Sequence, residues 1–415
     1  MPHTLTRSAS AAKLVRAADG MASVSGVSLS PLLARLGTYP FVRLDEARKR
    51  VEARGVEVVD FGMGDPRERA DERIERALVE ALPRVAGYPR AHGLPELREA
   101  IARWAARRFG ADLDPDREVI PTLGSKEAIY SLAQVLLDPD AGRTVVAYTE
   151  LGYPVYERGA LFAGGEPLAL PLLEERDFLP DLDAVGSETW ERVALLWLNY
   201  PNNPTGAVCD LSFLERAAEL ARRHGFVLAS DEPYTELWFE EPPPSALQLV
   251  DGASVLVFNS LSKRSSLTGY RSGFVAGDPD LIGALKAFRP TVGTAPQEFV
   301  QHASVAAWDD EEHVERIREG YRSKREVLVP ALEAAGLRVA GAAATMYLWC
   351  ETPGREPAEP YAARLLEEHG LLVSPGPYFG PSGEGYVRLS LVPSLDECRR
   401  AAAALANLAP ASHPA

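Results

Sequence analysis

The sequence predicts an α/β protein of two domains: a large domain built on a mostly parallel, doubly wound sheet, and a smaller α+β domain. Three observations carry this reading. At 415 residues the chain is too long for one small core. Between about residues 118 and 277, short apolar runs alternate with longer helical patterns, as in repeated βαβ units. From about residue 290 the pattern changes to long charged helices, then short strands and a final helix.

Taken in order, residues 1–28 are rich in Ala and Ser, hold no continuous apolar segment, and read as a disordered tail rather than a secretory signal. A transit peptide remains an alternative, and Met21 offers a second start codon. Residues 29–74 are expected to join the small domain, residues 75–285 to form the large domain, and residues 286–415 to complete the small one. In the large domain, "LPELREAIARWAARRFG" sets Leu94, Leu97, Ile101 and Trp104 on one helical face and stops at Gly110. The strands follow as "EVIPTL", "RTVVAY", "VALLWL", "FVLASD", "SVLVFNS" and "SGFVAG". Near-continuous apolar runs of this length suit strands covered on both faces. "LSFLERAAELARRHG" supplies an intervening helix with Leu211, Leu214, Ala218 and Ala221 inward and Gly225 as its stop. The small domain opens on "DEEHVERIREGYRSKREVLVPALEAAG".

Composition narrows the function. Hydrophobic residues make up 46% and charged residues 25%, as in an ordinary globular enzyme. A net charge of −15 repels polyanions and anionic membrane surfaces, so no nucleic-acid or membrane partner is expected, and an anionic substrate needs specific arginines. Cys209, Cys350 and Cys398 are odd in number and far apart, which suits a reducing cytoplasm. None of the seven histidines is paired at metal-ligand spacing, so no metal is expected.

Four polar clusters fall at the carboxyl ends of strands, where open α/β sheets bind ligands. "TLGSKEAI" places Gly124, Ser125 and Lys126 at a helix start, able to cradle a phosphate or merely to cap. "NYPNNPTG" holds Asn203 in a proline-bracketed turn, and "SDEPY" ends a strand on Asp231 with Tyr234 three residues on. "FNSLSKRSSLTGYRSGF" sets Lys263 among Ser260, Ser262 and Ser265, with Arg271 one short loop later. Each alone suits a cap, a turn or a solvated basic loop. Together they supply a Schiff-base lysine, a carboxylate for a pyridinium nitrogen, and hydroxyl, arginine and helix-start contacts for a phosphate. That is the set pyridoxal phosphate requires.

At these residues the chain resembles the fold-type I, class I aminotransferases, over about residues 30 to 405. The resemblance implies that Lys263 carries the cofactor, Asp231 pairs with its ring nitrogen, and Asn203 and Tyr234 bond its phenolic oxygen. Ser125, Lys126, Ser260, Ser262 and Arg271 fall where the family builds its phosphate cup, and Tyr153 in "LGYPVY" where an aromatic ring stacks. Tyr88 in "GYPRAHGLPELREAI" matches a tyrosine that reaches the partner subunit's phosphate, which implies a homodimer with composite sites. Gly64 in "GMGDP" lies where backbone approaches substrate. Arg388 in "YVRLSL" matches the arginine that clamps the α-carboxylate, and an arginine inside an apolar strand is costly unless paired.

"LSPLLARLGTYPFVRL", "FNSLSKRSSLTGYRSGFVAGD" and "QHASVAAWDDEEHV" are more narrowly similar to succinyldiaminopimelate aminotransferases of lysine biosynthesis. The implied reaction moves an amino group from N-succinyl-LL-2,6-diaminopimelate to 2-oxoglutarate, giving glutamate. Aspartate, alanine or LL-diaminopimelate aminotransferases, a cystathionine-type lyase, and a non-catalytic cofactor-binding regulator stand as alternatives. Arg289 in "FRPTVGTAPQEF" is expected to meet a distal substrate carboxylate from the partner chain; its bland reading is a solvated surface charge.

Overall fold

The computed structural model describes residues 23–24, 27–28, 30–36, 40–82, 87–250 and 254–408. The expected tail lies outside the described residues as far as Ala22, and Ser23–Val24 pairs antiparallel with Val27–Ser28. The large sheet has seven strands: β1 (Val119–Thr122), β2 (Val145–Glu150), β3 (Glu166–Pro171), β4 (Val193–Leu198), β5 (Val227–Asp231), β6 (Val255–Ser260) and β7 (Gly273–Gly277). Their order is β1-β7-β6-β5-β4-β2-β3. β2, β3, β4, β5 and β6 run parallel, while β7 is antiparallel to both neighbours. All six expected strands form; β3, at one edge of the sheet, is the addition.

Burial explains which were legible. β4, β5 and β6 are buried at every position and read as unbroken apolar runs, whereas β3 is largely half-buried or exposed and begins and ends on polar or proline residues. Helices cover both faces. Trp104 of the helix Pro95–Phe109 and Phe213 of the helix Leu211–His224 pack on one face; Ile129 of the helix Ser125–Leu136 and Leu285 of the helix Pro279–Val292 pack on the other. The helix Leu211–His224 starts on an Asp210 cap and stops at Gly225 in a left-handed conformation, as its sequence requires.

The second core surrounds a four-stranded sheet of β8 (Arg338–Gly341), β9 (Tyr347–Glu351), β10 (Ser374–Pro375) and β11 (Tyr386–Ser390), ordered β8-β9-β11-β10. Val59 and Phe61 pack in it, and Val59–Asp60 pairs in parallel with Leu371–Leu372, while Ile74 packs in the large core. One boundary is corrected. Ala303, Ala307 and Trp308 pack in the large core, so the helix Glu298–Trp308 belongs there and the division falls near Trp308 rather than at residue 286. An apolar face seeks the layer it can bury against, and the charged sequence that follows hides where that layer ends.

Candidate active site

The chain brings its strand ends to one edge of the large sheet. β2 and β3 lie on one side of β4, and β5 and β6 on the other, so a topological switch opens between β2 and β4. There a cavity of about 500 Å³ is lined from β4 (Asn199, Asn203), β5 (Asp231, Tyr234) and β6 (Ser260, Ser262, Lys263). Ser125, Lys126, Tyr153 and Arg271 line it as well, with Gly64, Tyr347, Phe379 and Arg388 closing it from the small-domain side.

Lys263 sits in the four-residue helix Leu261–Arg264, capped by the Ser260 hydroxyl accepting from Ser262 N–H at 3.1 Å. Its ammonium donates to the Gly64 carbonyl. Burial lowers its pKa; Tyr347 and Asp65 oppose that, and Arg388 and Arg271 add to it. A side chain at Gly64 would overlap the Tyr347 hydroxyl, so the close approach that delivers this carbonyl requires glycine.

Asp231 ends β5 with its carboxylate buried. Oδ2 accepts from the Tyr156 hydroxyl at 2.6 Å, while Oδ1 is buried with no hydrogen-bond partner. Burial, the largest cause, raises its pKa to about 7 against the pull of Tyr156. A buried carboxylate oxygen left unmatched is costly unless a donor reaches it. This atom, in the cavity wall, fits the N–H of a protonated pyridine ring.

Asn199 donates to the Asp231 carbonyl at 2.7 Å and accepts from Asn203 N–H at 2.9 Å, tying the ends of β4 and β5 together. Arg388 donates to Asn203 Oδ1 at 2.9 Å and to the Gly62 carbonyl at 2.7 Å, beneath the rings of Tyr347 and Phe379. Tyr234 and Tyr347 share a hydroxyl contact of 3.1 Å.

At the far end, Arg271 donates to the carbonyls of Thr268 and Leu123, at 2.8 and 3.1 Å. Gly124 caps the helix Ser125–Leu136 with φ +70°, and a Cβ there would strike the Arg271 guanidinium. Lys126 has its pKa lowered by burial, then by Arg271 and Arg158. Two cations, Lys126 and Arg271, gathered at a helix N-terminus beside Ser260 and Ser262, form an anion cup. The residues present therefore fit pyridoxal phosphate at both its ring nitrogen and its phosphate.

Two expected site residues are not in the cavity wall. Tyr88 is fully exposed on this chain. Arg289 is buried inside its own domain: it pairs with Glu127 at 2.6 Å and donates to the carbonyls of Pro121 and Thr294. Its Nη1 and Nη2 are engaged within this chain and the side chain is buried away from the cavity, so the distal-carboxylate role is withdrawn. Four residues of the site were missed: Asn199, Tyr156 beneath Asp231, Tyr347 and Phe379. Asn199 stood inside a quoted motif, and Tyr156 three residues after Tyr153. Tyr347 and Phe379 arrive from distant strands and loops and carry no local signal.

The family model described as aminotransferase class I and II matches residues 56–405. LL-diaminopimelate aminotransferase of Nitratidesulfovibrio vulgaris (strain DP4) is 37% identical over 93% of this chain and 100% of its own length. Among solved structures, an aminotransferase from Neisseria meningitidis Z2491 superposes with a TM-score of 0.85 at 36% identity, covering 92% of this chain and 100% of that one. A probable N-succinyldiaminopimelate aminotransferase from Thermus thermophilus does so with a TM-score of 0.82 at 35% identity, covering 89% and 100%.

Proposed function

The chain belongs to the class I and II aminotransferases, which use pyridoxal phosphate, and from that premise we propose a diaminopimelate-type amino donor. The reading is transfer from N-succinyl-LL-2,6-diaminopimelate to 2-oxoglutarate. The observation that carries the placement of the chemistry is the unpartnered Asp231 Oδ1 in the wall that also holds Lys263. Bound pyridoxal phosphate supplies an aldehyde to receive the amino group and a pyridinium to hold the electron pair released at Cα.

The chain's own residues do the rest. Asp231, held by Tyr156, would keep the ring nitrogen protonated. Ser125, Ser260 and Ser262 would hydrogen-bond the phosphate, Lys126 and Arg271 would balance its charge, and Tyr153 would pack against the ring. Arg388, steadied by Asn203 and the Gly62 carbonyl, binds the substrate α-carboxylate and so fixes which Cα–H bond faces Lys263. Lys263 Nζ, freed once the substrate amine takes its place, would accept the Cα proton and give it up at the cofactor carbon that receives the nitrogen; its lowered pKa favours the neutral amine that task needs. Tyr347 and Phe379, packed on Arg388, exclude water from the ion pair.

Support for the donor class comes from the relatives: one is named for LL-diaminopimelate and a similar structure for the N-succinyl form. The first name favours free LL-diaminopimelate as the second reading. Glutamate formation from 2-oxoglutarate, followed with both donors and with aspartate and alanine, decides among them. The largest kcat/KM is expected for the N-succinyl donor. A larger value for free LL-diaminopimelate would install the second reading, and a larger value for aspartate or alanine would remove the class.

A further inference from the structure

Two stretches singled out in the sequence, "SLSKRSS" and "AAWDDEEHV", meet in the fold behind Lys263. Arg264 is buried; its guanidinium donates to the Ala307 carbonyl at 2.6 Å, pairs with Glu311 at 2.7 Å and lies 4.9 Å from the Trp308 ring centroid. Ser265 Oγ lies 2.8 Å from His313 Nε2, and His313 Nδ1 lies 2.6 Å from Asp310 Oδ2. With Asp310 accepting from Nδ1–H, a neutral His313 accepts the Ser265 hydroxyl proton at Nε2. Burial and Arg264 lower the His313 pKa, which favours that neutral ring.

The arrangement has the order of a serine–histidine–aspartate nucleophile, but Ser265 is buried and is not among the residues lining the cavity. A hydroxyl that substrate cannot reach does no nucleophilic chemistry. Its place in the chain suggests another task. Lys263 sits in a four-residue helix, and one helical turn does not hold itself in water, so its neighbours must fix it. Ser260 fixes the start of that turn. Ser265, its last cap, is fixed by His313.

We propose that His313, oriented by Asp310 and acting through Ser265, is a positioning residue for Lys263, clamping the lysine turn to the junction of the two cores. The junction is the segment between Trp308, in the large core, and the helix Glu312–Ala334, whose Tyr321 and Leu328 lie in the small one. The same helix also holds the other side of the lysine. Lys324 pairs with Glu68 at 2.6 Å, four residues beyond Gly64, whose carbonyl takes the lysine ammonium. Lysine turn and carbonyl are thus set by one rigid element.

This inference rests on Lys263 being the residue that joins the cofactor. The test mixes apoenzyme with pyridoxal phosphate and follows the visible absorption that appears as the aldehyde joins the lysine. It compares Ser265→Ala, His313→Leu, their double variant and His313→Gln. Affinity for 4-deoxypyridoxine phosphate, which has ring and phosphate but no aldehyde, is measured beside it. Ser265→Ala and His313→Leu are expected to slow attachment about tenfold, because a reacting group displaced by a fraction of an ångström loses about that much or more. The double variant should be no slower than either, and His313→Gln, whose amide oxygen can accept the Ser265 hydroxyl, should stay within about twofold of wild type. Affinity for the analogue should not change.

Attachment at the wild-type rate in folded Ser265→Ala overturns the proposal. So does an analogue affinity that falls in step with the rate, since the whole site would then have collapsed. Ser265→Ala deletes one oxygen and keeps the question answerable where His313→Leu fails to fold. A wild-type protein that attaches cofactor elsewhere would defeat the assignment of Lys263 and the clamp together; variants that match an attaching wild type defeat the clamp alone.

Discussion

At the scale of single residues, the site depends on two groups whose protonation the fold has moved. Lys263 is the lysine whose amine the cavity both buries and keeps beside a carbonyl. Borohydride reduction of the loaded enzyme, followed by peptide mapping, is expected to label Lys263; label on Lys126 or Lys286 would contradict the assignment. Asp231 gives a prediction with a sign. Its carboxyl titrates at about 7 in the fold against an ordinary value of 3.8. A group raised on folding contributes stability that is complete below its unfolded pKa and is lost as pH climbs through the folded one. The cofactor-free protein therefore loses stability between about pH 4 and about pH 7. Glu232, also raised to about 7 by burial, adds a slope of the same sign. Asp231→Asn should melt higher than wild type without cofactor above about pH 7, with the gap closing toward about pH 4, while it binds cofactor more weakly and loses most of its turnover. A melting difference independent of pH would mean that the charge is not the cause. The stability the variant is expected to gain would measure the cost of holding that carboxylate buried.

At the scale of elements, Arg289 shows what a sequence conceals. An arginine before a proline looks the same in sequence whether it faces water or is buried. Here it joins the helix Pro279–Val292 to the helix Ser125–Leu136 through Glu127, and to β1 through the Pro121 carbonyl. Removing one partner of a buried pair strands the other charge and costs about 3–5 kcal/mol, discounted here because Glu127 is partly exposed. Arg289→Ala should lower the unfolding midpoint in urea, with KM raised no more for a distal-carboxylate donor than for alanine; a selective loss would restore the withdrawn role. The elements that could be read were those whose residues declare their surroundings. β4, β5 and β6 run apolar because they are covered on both faces, and Asn203, Asp231 and Lys263 stand at their ends because parallel strands deliver their carboxyl ends to one edge. Strand direction was not readable. β7 is as apolar as its neighbours yet antiparallel to both, because direction is set by the connection and not by side chains. Tyr347 and Phe379 were hidden for a related reason: they reach the cavity from far along the chain, Tyr347 from the second core and Phe379 from a separate cluster with Trp349 and Tyr386, across a separation no local pattern spans.

At the scale of the whole molecule, Tyr88 raises the question of the second subunit. Its ring is fully exposed on this chain, away from the cavity that its sequence context implies it serves. An aromatic side chain left entirely in water gains nothing from its size, whereas burial against another surface recovers most of that loss. The expectation that it completes the phosphate cup of a partner leads to an arithmetic test. Lys263→Ala subunits lack the lysine proposed to join the cofactor and are expected to be inactive, and Tyr88→Ala subunits are expected to keep only some residual fraction of activity. Unfold and refold the two together in equal amounts, and about half of the dimers should be mixed by random pairing. If Tyr88 acts across the interface, each mixed dimer holds one site with both lesions and one with neither, so about a quarter of all sites are native. If Tyr88 acts within its own chain, every site with Lys263 also lacks Tyr88, and the mixture shows only about half the residual activity of the Tyr88 variant. The two outcomes separate most clearly when that residual activity is small, about a tenth or less. Recovery near one quarter of wild-type activity per site would establish a composite site, and recovery at the lower figure would place Tyr88 outside the chemistry of the partner's site.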